Sequence, residues 1–164
     1  QQLLRGLDTD RFWGRFYKAP ALRRVLSQLV GYANSTDRGG RALSTDPWVR
    51  RRLAEASSEV QALRAMFFRV GWMIDQDLPV SGESAMAKVM ADELGQKVAA
   101  LGMDLLGPYG PLTEEASHAK LRAYLQHLYQ TTIGTTIAGG TSEVLRGTVA
   151  TRGLGLPAEA RSRG

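Results

Sequence analysis

The sequence contains no cysteine, which excludes disulfide staples and thiolate metal sites. Histidine occurs twice, as His118 and His127. Their spacing puts them on different faces of a helix, so they do not make a metal-binding pair. No apolar run approaches the roughly 18–20 residues of a membrane span, and no signal peptide opens the chain. These absences point to a cytoplasmic protein without a membrane partner. Strand patterns are also missing, although Thr131-Thr132-Ile133 and Thr135-Thr136-Ile137 are locally β-prone. There is no internal repeat.

Acidic charge is in modest deficit: Lys+Arg 21 against Asp+Glu 16 gives 21 − 16 = +5. Arginine far outnumbers lysine, and the positive charge is spread out except at Arg50-Arg51-Arg52 and Arg161-Ser162-Arg163. A nucleic-acid binder needs a concentrated basic face, so the pattern reads as solvated charge, with no nucleic-acid partner. The length of 164 residues suits one domain able to bury its own core. The chain opens on Gln1-Gln2-Leu3-Leu4 and runs quickly into helical pattern without an initiator Met. It therefore reads as a piece of a longer polypeptide.

What is present is helical periodicity. Leu53, Ala56, Val60, Leu63, Phe67, Val70 and Ile74 follow one another in three- and four-residue steps, marking one apolar face of a long helix. Asp46-Pro47 supplies its N-cap and a first-turn proline, and Pro79 and Gly82 close it. A second stripe runs through Met86, Met90, Leu94, Val98, Leu101 and Leu105 and stops at Gly107-Pro108. An earlier helix over residues 7–34 carries Leu22, Leu26, Leu29 and Ala33, with Pro20 as a kink. Thr113-Glu114-Glu115 starts a shorter helix bearing Leu121, Leu125 and Leu128, and a last one begins near Thr141 with Leu145 and Val149. The fold class is all-α: an antiparallel up-and-down helical bundle over residues 1–157, with a frayed tail over 158–164. Trp13, Phe16, Tyr17, Phe67, Phe68 and Trp72 either line a pocket or fill the bundle core; their helical spacing favours the core.

The strongest local signal is Ile137-Ala138-Gly139-Gly140-Thr141-Ser142-Glu143-Val144-Leu145-Arg146. Two glycines let a backbone approach a ligand closely, and Thr141 can cap the helix that follows. The same residues also suit an ordinary capped turn. With Arg152-Gly153-Leu154-Gly155-Leu156-Pro157 behind it, this segment resembles the C-terminal signature of the acyl-CoA dehydrogenase family. Ala85-Met86-Ala87-Lys88 resembles that family's alanine-methionine-alanine-lysine helix, and Leu106-Gly107-Pro108-Tyr109-Gly110 its glycine-rich turn.

The resemblance implies the C-terminal domain of an enzyme that binds FAD between subunits and removes two hydrogens from the α and β carbons of an acyl-CoA. It marks Gly139, Gly140, Thr141 and Glu143 as lying along the cofactor, with Gly107 in the glycine turn. Asp104 stands where the family usually has a glutamine, and a carboxylate is acceptor-only where the amide could donate. The family's Arg-x-x-Phe-Gly loop is replaced by Thr36-Asp37-Arg38-Gly39-Gly40-Arg41, in which Arg38 or Arg41 is either a phosphate clamp or plain loop charge.

A carboxylate must take the α proton. The usual glutamate before the Gly-Thr pair is Gly139 here, so the remaining candidate is Asp10, matching the first-helix position used by other members. Asp10 equally suits the dipole of a first helical turn. These departures resemble actinobacterial members built from two different subunits, acting on steroid or other bulky acyl-CoAs and passing electrons to an acceptor protein. The implied partners are therefore an acyl-CoA, a homologous dehydrogenase subunit and that acceptor. The contrasting reading is a helical assembly module without flavin chemistry.

Overall fold

The computed structural model describes residues 2–158, with the side chains of residues 2–5, 7, 8, 11 and 122 outside the description. Most of the expected tail therefore lies outside the described residues. The architecture is all-α, with no strand among the described residues beyond one isolated bridge between Asp37 and Ala42. Six helices follow in order: α1 Gln2–Phe16, α2 Lys18–Ser35, α3 Pro47–Asp75, α4 Ser81–Leu106, α5 Tyr124–Thr135 and α6 Ser142–Thr148. A π-helical turn, Val149–Gly153, continues α6. No helix among the described residues is long and apolar enough to cross a membrane.

The first expected helix is in fact two. The break falls at Tyr17, and Pro20 sits in the first turn of α2 rather than at a kink. A proline is tolerated there because the first N–H groups of a helix have no intrahelical acceptor. The α3 prediction meets its helix closely. Asp46 caps it by accepting from Trp48 N at 2.8 Å, and the stripe from Leu53 to Val70 is buried, with Met73 completing it where Ile74 was expected. The helix segment expected from Thr113 is a run of turns, and α5 starts only at Tyr124. The β-prone threonines lie largely inside α5, where Thr131, Thr132 and Thr135 hydroxyls donate to carbonyls three or four residues back.

Helix α4 is the hub and packs against each of the other five. Its expected stripe is only one part of its buried surface. Met86 is exposed and Met90 half-buried, while Ala85, Ala87, Ala91, Ala99 and Gly102 are buried on other faces. Small residues all round let neighbours approach from several sides, so no single apolar face dominates.

Gly82 shows the same logic. It lies in the first turn of α4 and does not close α3; a Cβ there would stand 2.5 Å from Gly153 Cα. The aromatic expectation needs the larger correction. Of the six, only Phe67 is buried; Trp13 and Phe16 on α1, Tyr17 at the α1–α2 junction, and Phe68 and Trp72 on α3 are exposed. All of the six but Tyr17 line open clefts between these helices, the pocket alternative. Phe12 instead fills the core, edge-on to Phe67 with ring centroids 6.0 Å apart.

Two glycine substitutions separate packing from propensity. Gly82→Ala is expected to destabilise by about 1–3 kcal/mol, because the backbone it meets has no side chain to rotate away. Gly31→Ala, in the exposed interior of α2 with no atom within 4 Å of the new Cβ, should stabilise by about 0.5–1 kcal/mol. Urea unfolding followed by circular dichroism measures both.

Candidate functional site

The Gly139-Gly140 turn connects α5 to α6. Both glycines hold positive φ, +75° and +104°, a region where any side chain is strained. Position 139 is therefore a backbone requirement, and no carboxylate stands there. Thr141 caps α6, accepting from Val144 N at 3.3 Å. Glu143 is exposed, and its carboxyl is held below the usual carboxylate range by its own backbone N–H and the Thr141 hydroxyl, with Arg146 and Lys88 adding attraction. Arg146 in turn bonds Glu93 on α4 at 2.8 Å.

Beneath the turn lies a group of charges that sequence reasoning passed over. Asp92 is fully buried in α4 and is surrounded by three cations. Lys88, one turn earlier and equally buried, is 3.0 Å from Asp92 Oδ2. Arg15, from the end of α1, donates through Nε to Asp92 Oδ1 at 3.1 Å. Lys18, from the start of α2, donates to the same oxygen.

Two of these cations also reach the turn. Lys88 Nζ donates to the carbonyls of Gly140 at 2.6 Å and Thr136 at 3.3 Å. Arg15 Nη2 donates to those of Ala138 at 2.9 Å and Thr135 at 3.5 Å. The available signal was the four-residue spacing of Lys88 and Asp92, which aligns them on one face of a helix. Burial pushes the Lys18 ammonium down from its ordinary value of 10.5, the nearby Arg15 and Lys88 charges add to this, and Asp92 offsets only part of it.

The candidate residues divide between the two ends of α4. Gly139, Gly140, Thr141 and Glu143 gather over Lys88. Asp104, Gly107 and Arg38 gather at the other end, roughly 24 Å away along the axis from Lys88 to Asp104 at about 1.5 Å per residue. There Gly107 terminates α4 with φ 55°, its N–H donating to the Asp104 carbonyl. Arg38 Nη2 donates to Leu105 O at 3.3 Å, so part of its guanidinium caps the helix end.

Arg41 is exposed in the loop; its carbonyl accepts from Arg38 N at 2.9 Å. Asp104 is exposed. Asp10 is exposed in the interior of α1, well past its first turn, so the dipole explanation for it does not hold. No group of three or more metal-ligating side chains occurs among the described residues. Ser142 Oγ, beside the cap, is buried without a hydrogen-bond partner among the described residues.

Removing Asp92 strands the fully buried Lys88 ammonium, whereas losing Lys18, the cation that burial already disfavours, leaves Asp92 paired with Arg15 and Lys88. Asp92→Leu is expected to lose about 3–5 kcal/mol, and Lys18→Met to stay within about 1 kcal/mol of the parent. Lys18 releases its proton at lower pH when folded than when unfolded, so between those two values the unfolded chain holds more protons. The Lys18-dependent part of stability should thus rise with pH up to 10.5, and Lys18→Met should flatten that rise. Urea titrations across the alkaline range check all of these.

Comparison with known proteins places these elements. Residues 2–154 match the family model described as acyl-CoA dehydrogenase, C-terminal domain. The acyl-CoA dehydrogenase IpdE1 of Mycobacterium tuberculosis is 30% identical over 138 residues, covering 84% of this chain and 33% of its own length. Benzylmalonyl-CoA dehydrogenase of Aromatoleum aromaticum is 28% identical over 124 residues, 76% of this chain and 31% of its own. Among solved structures, the Tcur3481-Tcur3483 steroid ACAD superposes with a TM-score of 0.84 at 27% identity, covering 93% of this chain and 38% of that one. The ChsE4-ChsE5 complex from Mycobacterium tuberculosis gives 0.77 at 27% identity, covering 84% and 36%. The chain thus spans about a third of the length of the curated relatives it matches. It belongs to the acyl-CoA dehydrogenase family, and it carries that family's C-terminal helical domain.

Proposed function

We propose that this domain forms one wall of an FAD site in a cytoplasmic two-subunit enzyme that desaturates a bulky, steroid-like acyl-CoA between its α and β carbons. The observation that carries the flavin part is the Gly139-Gly140 turn. It is exposed at Gly139 and half-buried at Gly140, bare of Cβ atoms, and backed by a cluster holding two more cations than carboxylates. Such a surface suits close approach by an acceptor-rich, negatively charged cofactor. FAD, when bound, supplies the acceptor for the β hydride.

This chain's own residues hold and orient. Gly139, Gly140, Thr141 and Glu143 form the wall, while Arg38, Arg41, Asp104 and Gly107 serve a second contact at the far end of α4. A separation of roughly 24 Å suits two surfaces facing different neighbours better than one pocket. The steroid-like substrate is supported by the name of one solved structure, the Tcur3481-Tcur3483 steroid ACAD, and the two-subunit assembly by the paired names of two of the solved structures. Electrons then pass to a separate acceptor protein.

The base comes from the partner subunit. Position 139 has no side chain, and Asp10 is an exposed aspartate in the interior of α1, without the dry surroundings a proton-abstracting carboxylate needs. Asp10→Asn in the full-length assembly should therefore keep turnover within a few-fold of the parent. A loss of about a thousandfold, with FAD and folding retained, would make Asp10 the base.

The cofactor is the direct test. The 164-residue chain alone should hold FAD weakly or not at all, since affinity depends on how many preorganised groups converge. The full-length protein co-expressed with a homologous subunit should purify yellow, at a flavin-to-protein ratio consistent with shared sites. Stoichiometric FAD on the isolated chain would defeat the one-wall reading. A full-length homo-oligomer active by itself would defeat the two-subunit reading.

A further inference from the structure

We infer that Asp92, acting through Lys88 and Arg15, is a positioning residue that sets the orientation of the peptide planes of the Gly139-Gly140 turn against the proposed cofactor. The inference rests on the flavin reading above and adds how this chain would orient the contact.

A planar trans peptide points its C=O and N–H in opposite directions. Arg15 draws the Ala138 carbonyl toward α1 and α4, and Lys88 draws the Gly140 carbonyl toward α4. The N–H of the Gly140–Thr141 peptide, carried by Thr141, is thereby turned to the opposite side. That side is where Ala138 and Gly139 are exposed. Positive φ at both glycines makes the two carbonyls able to face inward together.

Neither cation can hold its place without the carboxylate. Lys88 has no exposure to water, and an unpaired ammonium at such a depth is driven to lose its proton or to leave. Arg15 is also held at its Nε by Asp92, which leaves its outer nitrogen aimed at Ala138 and Thr135. Because Lys18 bonds the same oxygen, one carboxylate ties the α1–α2 junction, and with it the helix that bears Asp10, to the turn. A structural staple would need only one of these links. Here four carbonyls between residues 135 and 140 are drawn by two side chains whose common anchor is Asp92.

Arg15→Lys is the decisive variant in the full-length assembly. Lysine can still pair with Asp92, but it lacks the guanidinium fork that reaches Ala138 O at the same time. Its urea midpoint should stay near that of the parent, because the Arg15 side chain is 16% exposed and the ion pair persists. Amide exchange across residues 138–141 should accelerate about tenfold, as expected for losing one charge-assisted hydrogen bond. The flavin dissociation constant should rise about tenfold, and the bound flavin's visible absorption band should shift.

Asp92→Glu should recover part of the flavin affinity that Asp92→Asn loses; if Asp92→Asn does not fold, Arg15→Lys decides alone. Unchanged exchange in Arg15→Lys, or faster exchange with unaltered flavin affinity and spectrum, overturns the positioning role while leaving the flavin site intact. A parent assembly that binds no flavin overturns the functional reading itself, and this inference with it.

Discussion

A buried carboxylate must be paired or it does not stay charged, and Asp92 meets that constraint with residues from three helices. Arg15 closes α1, Lys18 opens α2, and Lys88 lies one turn back on α4. The excess of cations over carboxylates is then absorbed by backbone carbonyls of the α5–α6 connection. Charge pairing at one point thus connects the N-terminal helices, the central helix and the glycine turn. Apolar burial alone is non-directional and would not specify that arrangement.

The rest of the bundle serves this centre. Helix α4 can carry Lys88 and Asp92 at full depth because all five other helices pack against it. That coverage requires small residues at the crossings: Gly102 lies under Leu125, Gly95 against Thr132, and Gly82 against the backbone of Gly153. The exposed aromatics on α1 and α3 follow from the same geometry. The core between α1 and α3 is filled by Phe12 and Phe67, leaving Trp13, Phe68 and Trp72 at the surface.

A domain that spans about a third of its relatives need not present a complete pocket. Its candidate groups lie at two ends of one helix, and at the far end Arg38 is partly occupied with the α4 terminus. At the near end the turn is shaped by groups behind it, not by groups that face outward.

Local patterns were legible from residues alone. The period of Leu53 to Val70 dictates a helix with one buried face, Asp46-Pro47 dictates its start, and Thr141 dictates the cap of α6, because each depends on neighbours within one or two turns of chain. The glycine-threonine segment likewise announced a turn of close backbone approach. Other features were decided by tertiary structure. Periodicity could not tell that α4 would meet all five other helices, that the aromatics would face outward, or that Gly82 would serve a crossing. Nor could it tell that Lys88, Arg15 and Lys18 would share one buried aspartate. Those outcomes depend on which surfaces meet between residues as far apart as 15 and 138. Contacts at that separation are set by how whole helices pack, and the order of residues along any one helix does not contain them.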